Sequence, residues 1–374
     1  MHFIQPLARK SPFSSRSPHC FCSRTRFASE ITGAGLGIDR LSGSQGSLQR
    51  LPYADRMIDL IIATSLSAKD LETLATAEIL RVLRPGGVVL VGRRSGFPKN
   101  ALSKKSLGDW ARTAKVAGRV WEDDEGSWVY LQKPQDKAAG EWTHWEHGPD
   151  NNPLSEDTRI KAPYMTQFLG GPMYIGMPSI TTAAGGRTFL AVGHIAHHPR
   201  EWGTLQRLIA RNGYNGTILW ERKLPDDYLV HRSAFIATSE TFYMIDGNRC
   251  LLLDPETGRE KGQLRFAGVA GDLKWIAIKD GVLYSLVGDR EEGTKVTRGD
   301  RTFGGWSWSD LSPGYYGKQI PFGYGHTVAA LNLKDRKTLW SHKEKGKIDS
   351  RAMAMQGGKM FLMAPSDHLR CLSA

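Results

Sequence analysis

Leu251-Leu252-Leu253-Asp254-Pro255-Glu256-Thr257-Gly258 is the stretch that decides the fold, because it recurs along the chain. Aligned without gaps on Ile209–Trp220, it places Gly258 on Gly216, an offset of 258 − 216 = 42 residues. A third copy is Ala330–Trp340, and Leu369–Ala374 has the pattern of the start of a fourth. A short strand followed by a polar turn, returning after some forty residues, is typical of a propeller or a solenoid.

Short apolar runs separated by tight-turn residues surround these copies. Gly247 lies between two such runs, and Asp280-Gly281 and Gly357-Gly358 separate two further pairs. Asp-Gly and Gly-Gly connections match the twist of paired strands, so we expect antiparallel hairpins. Three or four strands in each repeat is the number found in a propeller blade. The sequence therefore predicts that residues 161–374 are mainly β and form a partial or open β-propeller of about four blades.

The repeat resembles the pyrroloquinoline-quinone-repeat (quinoprotein-type) family, whose blades end in an apolar residue, Asp or Asn, a small residue, Thr-Gly and Trp. The matching residues are Asp254, Thr257 and Gly258 in one copy and Asn212, Trp220, Asn332 and Trp340 in the others. The resemblance implies that the Trp docks one blade on the next and that the Gly lets the turn approach closely. Gly262 stands where the second copy would carry its Trp.

The same resemblance raises the question of a quinone cofactor. Quinone dehydrogenases of this fold need a closed ring of blades, stacking groups over the quinone, and Glu, Asn and Asp side chains to hold calcium. None of these can be placed in the sequence, so we expect neither bound quinone nor a metal site. Repeats of this kind also serve widely as non-catalytic binding scaffolds.

Residues 31–133 show a different pattern. Ile58–Ala63 is a short apolar run typical of a buried parallel strand. Asp70 is expected to cap a helix whose apolar face runs from Leu71 to Leu83, and Arg84-Pro85-Gly86-Gly87 is expected to end it. Val88–Gly92 then begins the next strand. The segment predicts one β-α-β unit.

Leu51–Asp55, Ile58–Ala63 and Ala77–Gly87 resemble the second half of a class I S-adenosylmethionine-dependent methyltransferase. The resemblance implies a partial Rossmann-like domain. It places Gly46, Ser47, Leu48 and Thr64 on the cofactor side. The family's glycine-rich turn and the acidic residue that ends its second strand are missing, since no apolar strand precedes the glycines of Ile31–Gly37. We expect S-adenosylmethionine only in a longer parent protein.

Residues 1–30 and 134–160 are predicted to lie outside the folded domains. The first is basic and serine-rich, which predicts a disordered tail, and the second opens with a polar linker. Within the second, His144 and His147 alternate with Trp142 and Trp145. Two close histidines are one feature of a metal site, but a metal needs more than two nearby ligands. The alternative is that the tryptophans anchor the incoming strand and the histidines bond to backbone. The same two alternatives apply to His194, His197 and His198.

An insertion separates the second and third copies, whose spacing is 336 − 258 = 78 residues. The excess lies in Gly288–Gly325 and is rich in glycine and aromatic residues. The residues proposed to form a ligand-binding loop are Trp306, Trp308, Tyr315, Tyr316 and His326. Stacked aromatic rings suit a carbohydrate or another flat ligand. Alternatively, they only cover an exposed blade edge.

Composition limits the partners. The net charge of +12 is spread along loops with no basic helix, which argues against nucleic-acid binding. The sequence contains no apolar run long enough to span a bilayer. The four cysteines form no CxxC pair and leave the compartment open. We expect a protein or small-molecule partner, such as a carbohydrate, on a propeller face, together with further blades of a longer protein.

The whole layout resembles large multidomain proteins of planctomycete-type bacteria, so we expect this chain to be a fragment. Three functional hypotheses follow. The first is a binding or scaffold protein without catalysis. The second is an S-adenosylmethionine-dependent methyltransferase whose glycine-rich cofactor half is missing because the start of the gene was assigned too far downstream. The third is a quinone- and calcium-dependent oxidoreductase.

Overall fold

The chain forms two compact units. The computed structural model describes residues 2–3, 19–20, 42–43, 47–64, 66–95, 102–163, 165–171, 176–195, 199–225, 228, 230–289, 323–364 and 368–374. The first unit comprises 1–138, 162–169 and 214–217, and the second comprises 139–161, 170–213 and 218–374. The domain limits after residues 30, 133 and 160 stay predictions. No helix in the described ranges is long and apolar enough to cross a membrane.

The first unit is an α/β unit whose sheet has the order β3-β2-β1-β4-β5-β7-β6. The strands are β1 (His2–Phe3), β2 (His19–Cys20), β3 (Ser42–Gly43), β4 (Ile58–Ala63), β5 (Leu83–Arg94), β6 (Gly118–Asp123) and β7 (Gly126–Gln132). The described helices are α1 (Ala68–Thr73), α2 (Thr76–Val82) and α3 (Lys104–Thr113). Strands β4 and β5 pair in parallel, with α1 and α2 between them in the chain, which confirms the β-α-β prediction.

Two helices replace the single one predicted between β4 and β5. Ser67, not Asp70, is the N-cap of α1, and Asp70 completes a capping box from the third helical position. Backbone and hydroxyl hydrogen bonds from Ser67 lower the pKa of Asp70. The chain is extended at Leu74, whose carbonyl oxygen accepts a hydrogen bond from Nε1 of Trp110 at 2.6 Å. This bond comes from α3, so the break has a tertiary cause.

Strand β5 begins at Leu83, directly after α2, rather than at Val88 as predicted. Gly86 takes a φ of +73° within it, which only glycine adopts without strain. The buried residues of β4 and β5 pack with those of the helices into one core. Its fully enclosed members include Ile61, Ile79, Val82, Leu83, Val89, Leu107 and Val129.

In the described residues, the second unit has four antiparallel sheets, each built from strands that follow one another in the chain. The first sheet is β8 (Met177–Ala184), β9 (Arg187–Ile195), β10 (Arg207–Asn212) and β11 (Ile218–Lys223). The second is β12 (Phe235–Ala237), β13 (Phe242–Asp246), β14 (Arg249–Leu253) and β15 (Glu260–Leu264). The third is β16 (Asp272–Lys279), β17 (Val282–Gly288), β18 (Tyr324–Asn332) and β19 (Thr338–Asp349). The fourth is β20 (Ala354–Gln356), β21 (Lys359–Ala364) and β22 (His368–Ser373). Short 3₁₀ segments cover Pro199–Thr204 and Ser350–Ala352.

Sheets of this kind are propeller-like blades, so the unit is mainly β as predicted. The hairpin prediction is confirmed in detail. Asp280 and Gly281 have φ values of +49° and +77°, and Gly357 and Gly358 have +59° and +70°. Two successive residues at positive φ define the turn that matches strand twist.

The three sequence copies occupy the same place in three sheets. Ala210 pairs with Trp220, Leu252 with Gly262 and Ala330 with Trp340, and each pair is followed by a bulge. A small residue therefore faces each Trp, and a larger one faces Gly262. The gap-free alignment of the copies is thus confirmed in the register of the outer strands.

Three phenylalanines form the centre of the packing between the first and second sheets. The rings of Phe189 and Phe242 lie 4.7 Å apart, and those of Phe235 and Phe242 lie 6.0 Å apart. All three side chains are buried. Offset aromatic contacts at such distances are favourable beyond the area that they bury, so this cluster holds the two sheets face to face.

Candidate functional site

Residues 141–152, here the junction segment, run along the first strands of the sheets. Trp142 exchanges two backbone hydrogen bonds with Ala183 of β8, at 2.8 and 2.7 Å. The carbonyl oxygen of Thr143 accepts from the backbone N–H of Ala237 in β12 at 2.9 Å. These contacts link the segment to the first and second sheets.

The same segment continues to the third and fourth sheets. The backbone N–H of Ile278, in β16, donates to Nε2 of His144 at 3.1 Å. The carbonyl oxygen of Pro149 accepts from the N–H of Met355, in β20, at 2.8 Å, and Nδ2 of Asn151 donates to the carbonyl oxygen of Met353. One short segment therefore binds the leading strand of every sheet in the unit.

His144 is the buried centre of this segment. Burial lowers its pKa to about 4, so the imidazole is neutral near pH 7. Since Nε2 accepts from Ile278, we assign the proton to Nδ1, which lies 2.7 Å from Oγ1 of Thr143. The Thr143 hydroxyl in turn donates to the carbonyl oxygen of His147 at 3.1 Å. Both ring nitrogens are thus engaged.

This geometry confirms the alternative in which a junction histidine bonds to backbone. His147 contributes its carbonyl oxygen and an edge contact with the ring of Trp142 at 5.4 Å. No group of three or more His, Cys, Asp or Glu side chains suited to a metal occurs in the described part of the chain. His197, His198 and the side chain of His194 lie outside it.

A cavity of about 130 Å³ lies beside the junction segment within the second unit. Its lining comes from the segment, the approach to β12, the middle of β16 and the 3₁₀ turn before β20. Its lining includes three aromatic and three charged side chains: Trp145, Phe235, Trp275, Glu146, Arg232 and Arg351. Aromatic walls with a few charged groups are the usual composition of a small-molecule site.

The two arginines of this cavity differ in their partners. Arg351 forms an ion pair with Asp349, with Nη2 2.5 Å from Oδ2, and donates to the hydroxyl of Tyr324 at 2.9 Å. Arg232 donates from Nη2 to the carbonyl oxygen of Arg351 at 2.9 Å. No described carboxylate pairs with Arg232. Glu146 accepts from Nε1 of Trp145 at 3.1 Å and is the one carboxylate among the described lining residues.

Arg232 and Lys274 both influence the neighbouring His231. Burial, followed by the charges of Lys274 and Arg232, lowers the pKa of His231 to about 3. Lys274 is only 8% exposed and directly precedes the lining residue Trp275. Burial is the larger cause, and the two cations act in the same direction.

The residues assigned to the cofactor side of the α/β unit have local contacts. Oγ of Ser47, which is exposed, accepts from the backbone N–H of Gln49 at 3.1 Å. Leu48 packs against the core of the unit, and Thr64 directly follows β4 and is half-buried. Gly46 lies outside the described residues.

The proposed aromatic ligand loop falls mostly outside the described residues. Trp306, Trp308, Tyr315 and Tyr316 are all in the undescribed range. His326 lies within strand β18 rather than in a loop, and its Nδ1 is 3.2 Å from the carbonyl oxygen of Gly346 on β19. Its ring is therefore already in contact with the neighbouring strand.

No family model and no curated protein matches this chain. Solved structures with similar parts include a SAM-dependent methyltransferase from Aquifex aeolicus (16% identity, 31% of this chain and 68% of that one, TM-score 0.27). Others are BamB from Moraxella catarrhalis (15%, 52% and 57%, 0.26) and a europium-containing methanol dehydrogenase (11%, 53% and 41%, 0.30). The chain thus spans about half the length of the last two. These likenesses are partial. The class that the chain's own sheets define is a propeller-like β unit with an α/β unit.

Proposed function

We propose that this chain is a non-catalytic binding protein, in which the propeller-like unit holds a small ligand beside the junction segment. The observation that carries the proposal is the junction segment itself. It fixes the leading strands of four sheets around a cavity and uses His144 entirely for that purpose. The methyltransferase-like unit is then a remnant without a catalytic role.

The chemistry of the cavity supports binding rather than catalysis. A general base must be free to reach the proton that it removes, but both nitrogens of His144 are engaged and its pKa is about 4. Glu146 already accepts a hydrogen bond from Trp145. What the lining offers is a shaped space with fixed charges, which is sufficient for recognition.

The two enzymatic hypotheses fit the described residues less well. For methyl transfer, the described residues assigned to the cofactor side make only local contacts, with Ser47 bonded to Gln49 and Leu48 packed against the core. A cavity of about 130 Å³ is close to the size that holds one benzene ring, whereas pyrroloquinoline quinone has three fused rings. We derive no reaction step through either cofactor.

The test is a binding screen on the full chain with small molecules sorted by charge. Trp145 and Trp275 line the cavity, so a bound ligand should change tryptophan emission and raise the thermal midpoint in a saturable manner. Trp275→Phe should reduce the emission change. Transfer of a labelled methyl group from S-adenosylmethionine, or a quinone chromophore retained with calcium through gel filtration, would contradict a purely binding role.

Carbohydrate or protein binding at the Gly288–Gly325 insertion stays a second proposal. It rests on the aromatic composition of that sequence alone. Deleting residues 301–322 would separate the two sites. Ligand binding at the cavity should survive the deletion, whereas binding of a glycan to the insertion should be lost.

A further inference from the structure

We propose that the cavity beside the junction segment binds a small carboxylate, with Arg232 as the charged partner. The inference rests on the proposed binding function and adds the chemical class of the ligand. Three observations carry it: the pairing state of Arg232, the repeat position from which the cations come, and the size and lining of the cavity.

The first observation is that Arg232 keeps most of its hydrogen-bonding capacity. A guanidinium has five N–H donors and is always charged. The structure uses one of the five groups in a bond to the carbonyl oxygen of Arg351, and among the described residues no carboxylate neutralises Arg232. A half-buried, unmatched guanidinium at a cavity wall favours an incoming anion, and its planar fork matches a carboxylate in shape.

The second observation is that the two basic lining residues, Arg232 and Arg351, occupy the same position of the repeat. Arg232, Lys274 and Arg351 stand at equivalent positions, each close to the start of the leading strand in its sheet. Lys274 follows Arg232 by 274 − 232 = 42 residues, which equals the spacing of the first two turn copies. Three consecutive sheets therefore carry a basic residue at this repeat position, and two of these residues line the cavity. Of the two arginines that line the cavity, Arg351 forms an ion pair with Asp349.

The third observation concerns size and lining. A cavity of about 130 Å³ accommodates a molecule of roughly benzene size or smaller. Phe235, Trp145 and Trp275 contribute apolar faces to a lining that is otherwise mainly polar. A short aliphatic chain ending in a carboxylate, such as propionate, satisfies both the walls and Arg232.

The experiment measures propionate binding to the full chain by calorimetry and saturation-transfer NMR in a carboxylate-free buffer. Propionamide has nearly the same shape without the charge and is the matched ligand control. Arg232→Gln removes the charge and keeps an amide donor, while Arg232→Lys keeps the charge and loses the fork. Arg259→Gln is the protein control, because Arg259 is an exposed arginine away from the cavity lining.

We expect propionate to bind the wild-type chain saturably and propionamide to bind far more weakly. Arg232→Gln should weaken propionate binding roughly tenfold to a hundredfold, and Arg232→Lys should fall between it and the wild type. Arg259→Gln should leave the affinity unchanged. Circular dichroism and the thermal midpoint, compared between Arg232→Lys and Arg259→Gln, identify any loss of folding.

Two outcomes overturn the inference. Equal binding of propionate and propionamide, or equal propionate affinity in the wild type and Arg232→Gln, would leave a binding site without the proposed anion specificity. Neutral or cationic ligands that bind the cavity while carboxylates do not would have the same effect and leave the binding function standing. If no ligand of any charge bound to the cavity, the inference and the proposed function would fail together.

Discussion

Nε1 of Trp220, on the outer strand of the first sheet, donates a hydrogen bond to the carbonyl oxygen of Pro255, in the turn of the second sheet, at 3.1 Å. Gly258 in the same turn lies against the indole ring, where a methyl group would come within 2.7 Å of Cδ2. The docking role that the family resemblance implies for Trp and Gly is therefore confirmed for this pair. In the second copy Gly262 stands in place of the Trp. Nη1 of Arg336 lies 3.8 Å from where a Cβ on Gly262 would be.

Replacing Gly258 by Ala should destabilise the second unit through two separable effects. Gly258 has a φ of +69°, which costs an L-residue about 1–2 kcal/mol, and the added methyl group overlaps Trp220. Gly268 has a φ of +78° with no atom within 4 Å of a built Cβ. Gly268→Ala should therefore show the backbone cost alone, and Gly258→Ala about 1–3 kcal/mol more. Urea unfolding measures both variants, and equal losses would contradict the close contact.

Asp254 should be replaceable by Asn but not by Ala. Its Oδ1 accepts from the N–H groups of Glu256 and Thr257, at 3.0 and 2.8 Å, and from the Thr257 hydroxyl at 2.9 Å. In the third copy, Oδ1 of Asn332 accepts from the N–H of Lys334 at 2.8 Å. We expect Asp254→Asn to change the free energy of unfolding by less than about 0.5 kcal/mol and Asp254→Ala to cost about 1–2 kcal/mol. If both variants lost the same amount, the charge rather than the acceptor geometry would organise the turn.

His144 should make the second unit less stable in acid. Its folded pKa of about 4 lies below the ordinary value of 6.5, so between these values the unfolded chain binds the proton more readily. The contribution of neutral His144 is fully present above pH 6.5 and is lost as the pH falls towards 4. The total is about 3 kcal/mol, with a slope of at most about 1.4 kcal/mol per pH unit. Urea unfolding as a function of pH measures it.

The control for this prediction is a second histidine whose pKa is lowered by burial. His144→Gln keeps an acceptor for the N–H of Ile278 and removes the titrating group. It should therefore lower the slope of the unfolding free energy against pH by the equivalent of up to one proton. His231, with a pKa of about 3, affects stability in the same direction as His144. The stability that its neutral form contributes is lost as the pH falls from 6.5 to 3. In the double variant with His231→Gln, the number of protons taken up on unfolding should fall by up to two. An unchanged slope in His144→Gln would show that His144 is not the titrating group.

Trp110→Phe should loosen the break between α1 and α2. The change removes the bond from Nε1 to the carbonyl oxygen of Leu74, at a cost of about 1–3 kcal/mol because both groups are buried. Hydrogen exchange should accelerate in 68–82. Trp121→Phe is the matched control, since Nε1 of Trp121 bonds to the exposed Asp123 at 3.0 Å. Similar exchange in both variants would remove the tertiary explanation of the break.

The parts of the fold predicted from sequence are those set by local chemistry. Asp280-Gly281 predicts its hairpin because few residue pairs tolerate two positive φ values. The register of Trp220 and Trp340 followed from the repeat. The break at Leu74 could not be read locally, since its cause is a side chain 36 residues away. The actual partners of His144 and Asn151 are 134 and 202 residues distant, beyond any spacing rule.

The cavity also escaped prediction, although a signal was present. The histidines and the aromatic insertion pointed to other places, whereas the basic residues of the lining are Arg232 and Arg351. Neither arginine belongs to a recognised motif. They become noticeable only when the repeats are aligned at the start of each leading strand, where Lys274 takes the same position. The repeat is recognisable from its turn residues, whereas the basic residues of the cavity lie at the opposite end of the blade.

The junction segment precedes in the chain every strand that it binds. On the ribosome it is therefore made before its partners, and its last contact, with Met355, waits for about two hundred further residues. Closing such long loops is slow compared with hairpin formation. Each sheet can form early from its neighbouring strands, and threading the segment through all four becomes the late, cooperative step. A mutation at His144 or Asn151 should therefore alter the rate at which the assembled unit unfolds more than the rate at which single sheets appear.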